Sequence, residues 1–229
     1  MKSISRRQFL QISASLSLTA PVSIVFASSE HSKPGEHDLF PITIAVLKSA
    51  YRTEKLACEH YVRYSQKAIQ DKYSNIAYLF TAFSVSEKTH AKNYKKILAS
   101  LSAAAEEPEA EFSILDTKAN LINASAGELE KIQKTYPDFL SELKKESHDQ
   151  AITNCMYSWK SHQQHKRKIS EIEKYSKLFF GPVAKKIEGM KFDFHVCEIC
   201  GSTIDDVPKT PCSICNGSIL HYRQVKRPA

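Results

Sequence analysis

The chain has 229 residues, a formal net charge of +7 and only six glycines. That length holds one domain of about 150 residues plus a small module, and so few glycines argue against a sheet-rich sandwich full of tight turns. The lysines are spread among glutamates, and no basic block with interleaved aromatics occurs, which argues against a nucleic-acid partner.

Residues 1–27 carry Lys2, Arg6 and Arg7 and no acid, leaving +4 on the remainder. An apolar stretch follows from Phe9 to Phe26. Val25 and Ala27 fit the positions before a signal-peptidase cut, with Ser28 as the new terminus. Ser5-Arg6-Arg7-Gln8-Phe9-Leu10 resembles the twin-arginine export signal. The stretch contains Ser13, Ser15, Ser17 and Thr19, which makes it marginal as a bilayer span. The expected location is therefore periplasmic or otherwise exported, without stable membrane insertion after cleavage. Residues 28–40 read as a linker.

The middle of the chain has helical spacing. Residues 42–70 place Ile44, Leu47, Tyr51, Leu56, Tyr61 and Tyr64 on one stripe, and residues 73–100 do the same with Ile76, Leu79, Phe80, Phe83, Tyr94 and Leu98. The short gap between them makes antiparallel neighbours. Residues 101–117 read as a long connection. A third helix is expected over about 118–145, with Pro137 as a kink or break, and a fourth over about 148–177. Gly181-Pro182 is expected to end the bundle. The domains so drawn are a four-helix bundle over 41–180, a linker over 181–193 and a metal knuckle over 194–229.

Polar residues fall on these helices in a pattern. Glu54 is on the first; Glu87 and His90 are three apart on the second; Glu128 is on the third; His162 and His165 are three apart on the fourth. Residues three apart share a helix face. Carboxylates and imidazoles from four facing helices are the ligand set of a di-iron or di-manganese bundle, since carboxylates bridge and neutralise two cations while histidines fill terminal positions. The competing reading makes His162 and His165 part of a solvated stripe, because Gln163, Gln164, Lys166 and Arg167 surround them. Cys58 and Cys155 fall on the interior stripes and read as buried small hydrophobes.

Near the end, Cys197, Cys200, Cys212 and Cys215 form C-x2-C-x11-C-x2-C. Two tight turns, each offering two thiolates, close a tetrahedron around one ion of iron or zinc. Two disulfides are the alternative. The segment holds few apolar residues and needs a central staple to fold.

The chain resembles rubrerythrin from about residue 41 to 222. The resemblance is carried by Ala57 to Tyr64 after Glu54, Ser86-Glu87-Lys88-Thr89-His90-Ala91-Lys92, Ala126-Gly127-Glu128, Tyr136-Pro137-Asp138-Phe139-Leu140 and the four cysteines. It implies a ferritin-like di-iron four-helix bundle followed by a rubredoxin-like iron site. It further implies reduction of hydrogen peroxide with electrons drawn through the four-cysteine iron from an unidentified donor. It also implies a homodimer in which one chain's rubredoxin iron lies near the other's bundle metals. Glu54, Glu87, His90, Glu128 and His165 match family ligands, with Glu54 and Glu128 terminal and Glu87 bridging; Tyr61 and Tyr136 match tyrosines bonded to ligand carboxylates.

Two positions depart from the family pattern. Gly-Glu-x-x-Glu has become Gly127-Glu128-Leu129-Glu130-Lys131, and Glu-x-x-His has become His162-Gln163-Gln164-His165. Glu130 is no substitute, because one residue is about 100° of helix rotation. Weaker loading of a second ion, or a mononuclear or asymmetric site, is therefore expected. The alternative function is a non-enzymatic metal-binding or electron-transfer protein with a degenerate bundle site. Iron oxidation and storage ranks last, for want of a cage-building signature.

Overall fold

The computed structural model describes residues 40–229, except the side chains of residues 171–183 and 186. The export signal expected in residues 1–27, and the linker up to residue 39, lie outside the described residues.

Helix α1 (Pro41–Gln70) and helix α2 (Ser74–Ser100) form the antiparallel pair expected from their spacing. Pro41 starts α1, where its missing N–H costs nothing. Phe40 offers no side-chain cap. The Glu146 carboxylate supplies one from 104 residues further along the chain, accepting from the backbone N–H of Ile42 at 2.9 Å and Thr43 at 2.7 Å. The connection after α2 is irregular through residue 116, as expected.

The third helix is composite. Helix α3 (Thr117–Glu130), capped by the Asp116 side chain, runs into a π-helical turn (Lys131–Thr135) and then helix α4 (Tyr136–Leu143). The break was expected at Pro137, but it comes before it: Pro137 sits in the first turn of α4, and the irregularity is the π turn. There the N–H of Tyr136 bonds back to Lys131 O, five residues away. The single tryptophan, Trp159, donates its indole N–H to Ile132 O at 2.9 Å, satisfying a carbonyl within that turn.

Helix α5 (Asp149–Glu188) does not end at Gly181-Pro182; its backbone stays helical to Glu188, where a linker was expected from residue 181. A proline removes one N–H from the ladder, and the far end of this helix is anchored well enough to absorb that. Asn75 donates its amide to Ile187 O (2.7 Å) and Met190 O (2.8 Å), while the Glu188 carboxylate accepts from Asn75 N–H at 2.9 Å. Each helix end thus caps the other.

Strands β1 (His195–Cys197), β2 (Thr203–Ile204) and β3 (Tyr222–Gln224) form an antiparallel sheet ordered β2-β1-β3. The sheet module does not hang free. Phe194, Val196 and Val225 join the bundle core around Ile76, Phe80 and Phe83, and Tyr78 donates its hydroxyl to Val225 O at 2.8 Å. A second apolar cluster around Leu47, Tyr94, Leu98, Leu140 and Leu143 fills the rest of the bundle. The charged cluster described next contributes to neither and sits between them. No described helix is long and apolar enough to cross a membrane.

Candidate metal centres

Helical spacing brings Glu54, Glu87, His90, Glu128, His162 and His165 into one buried cluster, each at most 1% exposed. The solvated-stripe reading of His162 and His165 is thereby excluded. Two groups of four lie close enough to share an ion: Glu54, Glu87, His90 and His162, and Glu87, Glu128, His162 and His165. In each, the candidate ligand atoms lie within 4.8 Å of one another. Tyr61 donates to Glu128 Oε1 at 2.5 Å and Tyr136 donates to Glu54 Oε1. Burial, reinforced by the neighbouring carboxylates, pushes both phenols well above their usual range, so they remain donors.

Lys131 turns inward. Its Nζ lies 3.4 Å from Glu87 Oε1, 3.6 Å from Glu128 Oε1 and 3.8 Å from Glu54 Oε2. Burial alone would raise the Glu54 and Glu128 carboxyls. The Lys131 charge and then His162 outweigh it and hold both well below the carboxylate range. Glu130 is exposed, so the missing carboxylate is not supplied by its neighbour.

His162 lies between two acids, with Nδ1 2.8 Å from Glu128 Oε2 and Nε2 3.0 Å from Glu54 Oε1. Burial and Lys131 oppose its protonation, but three carboxylates win and push it up to about 10. Without metal it is therefore an imidazolium donating from both ring nitrogens.

Two buried polar atoms in the cluster have no hydrogen-bond partner: His165 Nδ1 and Glu54 Oε2. Buried polar atoms are nearly always paired, so orphans aimed into a carboxylate cluster fit a missing cation. His165 Nδ1 faces Glu87 Oε1 at 3.5 Å and Glu128 Oε2 at 3.7 Å. Those separations suit neighbouring ligands on one ion. Glu54 Oε2 instead faces Lys131 Nζ. The residues therefore fit one divalent ion well, while an ammonium stands among the carboxylates a second would need.

The four cysteines form the second centre. Cys197 Sγ lies 3.7 Å from Cys215 Sγ, and Cys200 Sγ lies 3.5 Å from Cys212 Sγ. A disulfide needs about 2.05 Å, so the disulfide alternative fails. Four sulfurs about 2.3 Å from one ion stand roughly 3.8 Å apart, which matches. The two turns repeat one design: Gly201 N–H bonds to Cys197 O at 2.9 Å, and Asn216 N–H bonds to Cys212 O at 2.8 Å. Gly201 and Asn216 both take left-handed backbone conformations, at φ 77° and 57°.

The two centres meet at α2. His90 Nδ1 lies 2.8 Å from Glu87 Oε2, and its Nε2 lies 3.1 Å from Cys200 O. Ser86 and Ser161 both donate to Gly201 O, at 2.7 and 3.0 Å. Thr203 Oγ1 lies 3.3 Å from His165 Nε2, and Asn93 donates to Ile199 O at 2.8 Å. The four-cysteine module thus meets the bundle of its own chain. Sequence reasoning missed Ser86, Asn93 and Ser161 as docking residues, since serines and asparagines on helices carry no distinctive signal.

Cys58 and Cys155 are both unpaired. Cys155 is buried as expected, but Cys58 is only partly so and lines a surface groove with Lys55, Lys88 and Lys92. A second cavity, of about 460 Å³, lies between the 101–117 connection and the bundle. Its walls include His60, Glu111 and Asn123, and it reaches inward to Tyr61 and Lys131.

A family model for rubrerythrin matches residues 45–173. The chain belongs to the rubrerythrin family. Among curated relatives, Rubrerythrin-2 of Clostridium acetobutylicum is 29% identical over 175 residues, covering 76% of this chain and 91% of the relative. Nigerythrin of Nitratidesulfovibrio vulgaris is 26% identical over 178 residues, covering 76% and 81%. A solved structure of fully reduced, all-ferrous nigerythrin superposes with a TM-score of 0.68 at 23% identity, covering 87% of this chain and 91% of that one. A Desulfovibrio desulfuricans bacterioferritin with a diiron site superposes at 0.61, with 18% identity over 69% of this chain and 93% of that one. The ferritin-like bundle followed by a rubredoxin-like knuckle is the fold of a rubrerythrin.

Proposed function

We propose that this chain is a non-haem iron oxidoreductase that reduces hydrogen peroxide to water at the bundle centre, with electrons passed from the four-cysteine centre. The observation that carries the reading is His90. One of its ring nitrogens belongs to the bundle cluster, and the other lies 3.1 Å from the backbone oxygen of Cys200. A short path of covalent and hydrogen bonds therefore joins the two candidate centres inside one chain. Family membership and the all-ferrous state of its nigerythrin neighbour support iron as the metal.

In this reading Cys197, Cys200, Cys212 and Cys215 hold one iron, and Glu87, Glu128, His165 and His162 hold bundle iron near Glu54 and His90. Iron, when bound, supplies the electrons: peroxide takes two electrons and two protons and leaves as two waters. The protein's part is positioning and proton supply. Tyr61 and Tyr136 hold Glu128 and Glu54 in place through phenols that keep their protons. The cavity between the 101–117 connection and the bundle gives a small polar molecule a way in. Lys131 Nζ and the Tyr61 hydroxyl stand at its inner end as proton-bearing groups. The electron donor to the knuckle remains outside this chain, a homodimer is part of the reading, and residues 1–27 would carry the folded protein out of the cytosol.

The test is rapid mixing of ferrous-loaded protein with peroxide, monitoring the red ferric-thiolate absorption of the knuckle. Prompt appearance of that absorption, with the His90→Ala variant at least about tenfold slower, is the expected result. A knuckle that peroxide never oxidises would sink the reading. One observation favours the alternative of a pure electron-transfer protein: Lys131 already neutralises part of the carboxylate cluster. Iron analysis of a Cys197→Ser/Cys200→Ser variant separates the two, because any iron it retains resides in the bundle.

A further inference from the structure

Among the described residues the bundle contains three fully buried carboxylates, Glu54, Glu87 and Glu128, and one lysine reaches all three. A lysine is a cation at neutral pH. In a water-poor cavity net charge decides occupancy, because an uncompensated ion there costs several kcal/mol. One divalent cation plus the Lys131 ammonium balances three carboxylates, with the histidines bound as neutral imidazoles. Two divalent cations plus the ammonium leave an excess of two positive charges. Among the described residues no further acid belongs to the buried cluster to absorb it: Glu130 is exposed, and the helix position that would bridge two ions holds His162.

The geometry divides the cluster in the same way. On one side, the orphaned His165 Nδ1 faces Glu87 Oε1 and Glu128 Oε2, with His162 Nδ1 2.8 Å from that same Glu128 oxygen. These atoms surround a place for one ion. On the other side, the orphaned Glu54 Oε2 has two nitrogens near it, Lys131 Nζ at 3.8 Å and His90 Nδ1 at 3.7 Å. The π turn sets this up. It starts at Lys131, one helical turn after Glu128, and leaves the lysine stem on the interior face with only 12% of its side chain exposed.

We propose that the bundle takes a single divalent cation, held by Glu87, Glu128, His165 and His162, and that the Lys131 ammonium, among Glu87, Glu128 and Glu54, permanently takes the place of the second cation. The consequence is an asymmetric centre. Its carboxylate charge is shared between an exchangeable metal ion and a fixed, proton-bearing group at the inner end of the cavity. It shares with the proposed function only the premise that the bundle binds a divalent ion.

The experiment is loading of the full chain with Mn(II) or Fe(II) under anaerobic conditions. Ions per chain are counted by native mass spectrometry, and the Mn(II) electron paramagnetic resonance spectrum is recorded. Wild type with Cys197→Ser/Cys200→Ser, which removes the knuckle site, is expected to carry one bundle ion with the six-line spectrum of an isolated Mn(II). Lys131→Glu on that background is expected to carry two, with the spectrum broadened by coupling between them. His165→Gln should lose the ion, whereas His90→Gln should keep it; this second pair keeps the test decisive where Lys131→Glu fails to fold. Two bundle ions in the protein with Lys131 intact would overturn the inference and leave the peroxide reading standing. No bundle ion at all would overturn both, and loss of the ion in His90→Gln but not His165→Gln would overturn the placement.

Discussion

Gly201→Ala is the sharpest test of how the four-cysteine module is seated. Gly201 holds φ 77°, which costs an alanine roughly 1–2 kcal/mol. The added Cβ would also fall against His90 Nε2, 2.7 Å from His90 Cδ2 and 3.0 Å from Ser86 Oγ. These are buried ring and hydroxyl atoms with nowhere to go. The module must therefore back off by an ångström or more. That breaks the bonds from Ser86 and Ser161 to Gly201 O and the contact of His90 with Cys200 O, each about 1 kcal/mol. Together the cost is about 3–5 kcal/mol, taken as additive only to first order because the groups are neighbours. Gly217→Ala is the matched control. It lies in the second cysteine turn, its Cβ would meet the flexible end of Ile199 at 2.7 Å and Cys215 Sγ at 3.2 Å, and about 1 kcal/mol is expected at equal metal loading. The assay is urea unfolding of both variants at equal metal loading, with hydrogen exchange of the Ile199–Thr203 amides as the local readout. Gly201→Ala should unfold at clearly lower urea and exchange faster there. Equal destabilisation by the two substitutions would refute the docking argument.

Glu146→Gln should cost about 1 kcal/mol at pH 7, because a partly exposed carboxylate caps the start of α1. Burial opposes the ionised form, but the bonds from Thr43 and Ile42 hold its pKa below the usual value. That stability is present above pH 4.5 and lost as pH falls through the lowered pKa. Thermal melts of wild type and variant should therefore differ near neutrality and converge in acid; a difference that grows in acid would contradict the cap. Tyr61→Phe leaves Glu128 Oε1 without its phenol donor and should destabilise the metal-free protein by about 1–3 kcal/mol. An unchanged melting temperature would show that the bond contributes nothing to holding Glu128.

The parts of this protein legible in the sequence are those with a period or a spacing. Apolar stripes in α1 and α2 place those helices to within a residue at either end, and acids and histidines distributed over the four helices, Glu87 and His90 three apart, locate the bundle cluster. The cysteine spacing specifies its own four-sulfur cluster. Two features escaped because each depends on atoms far apart in the chain. The end of α5 is set by Asn75 and Glu188 capping each other across 113 residues, while Gly181-Pro182 signals locally that the helix should stop. The direction of Lys131 is set by a π turn that no local propensity announces. From the sequence, a lysine in place of a carboxylate reads as a ligand lost. In the folded chain it is a charge gained. A bundle that had merely lost two carboxylates would be expected to expel a stray ammonium to solvent, since burying one without partners costs several kcal/mol. Here the remaining three carboxylates gather around it, and the imidazolium of His162 bridges Glu54 and Glu128 in the space between them. The substitutions at 131 and 162 are thus compensating: each replaces an acid with a base, and together they let the cluster stay buried and nearly neutral before any metal arrives. That coupling predicts that the double variant Lys131→Glu/His162→Glu recovers more metal-free stability at low pH than at neutral pH, where five buried carboxylates would repel one another.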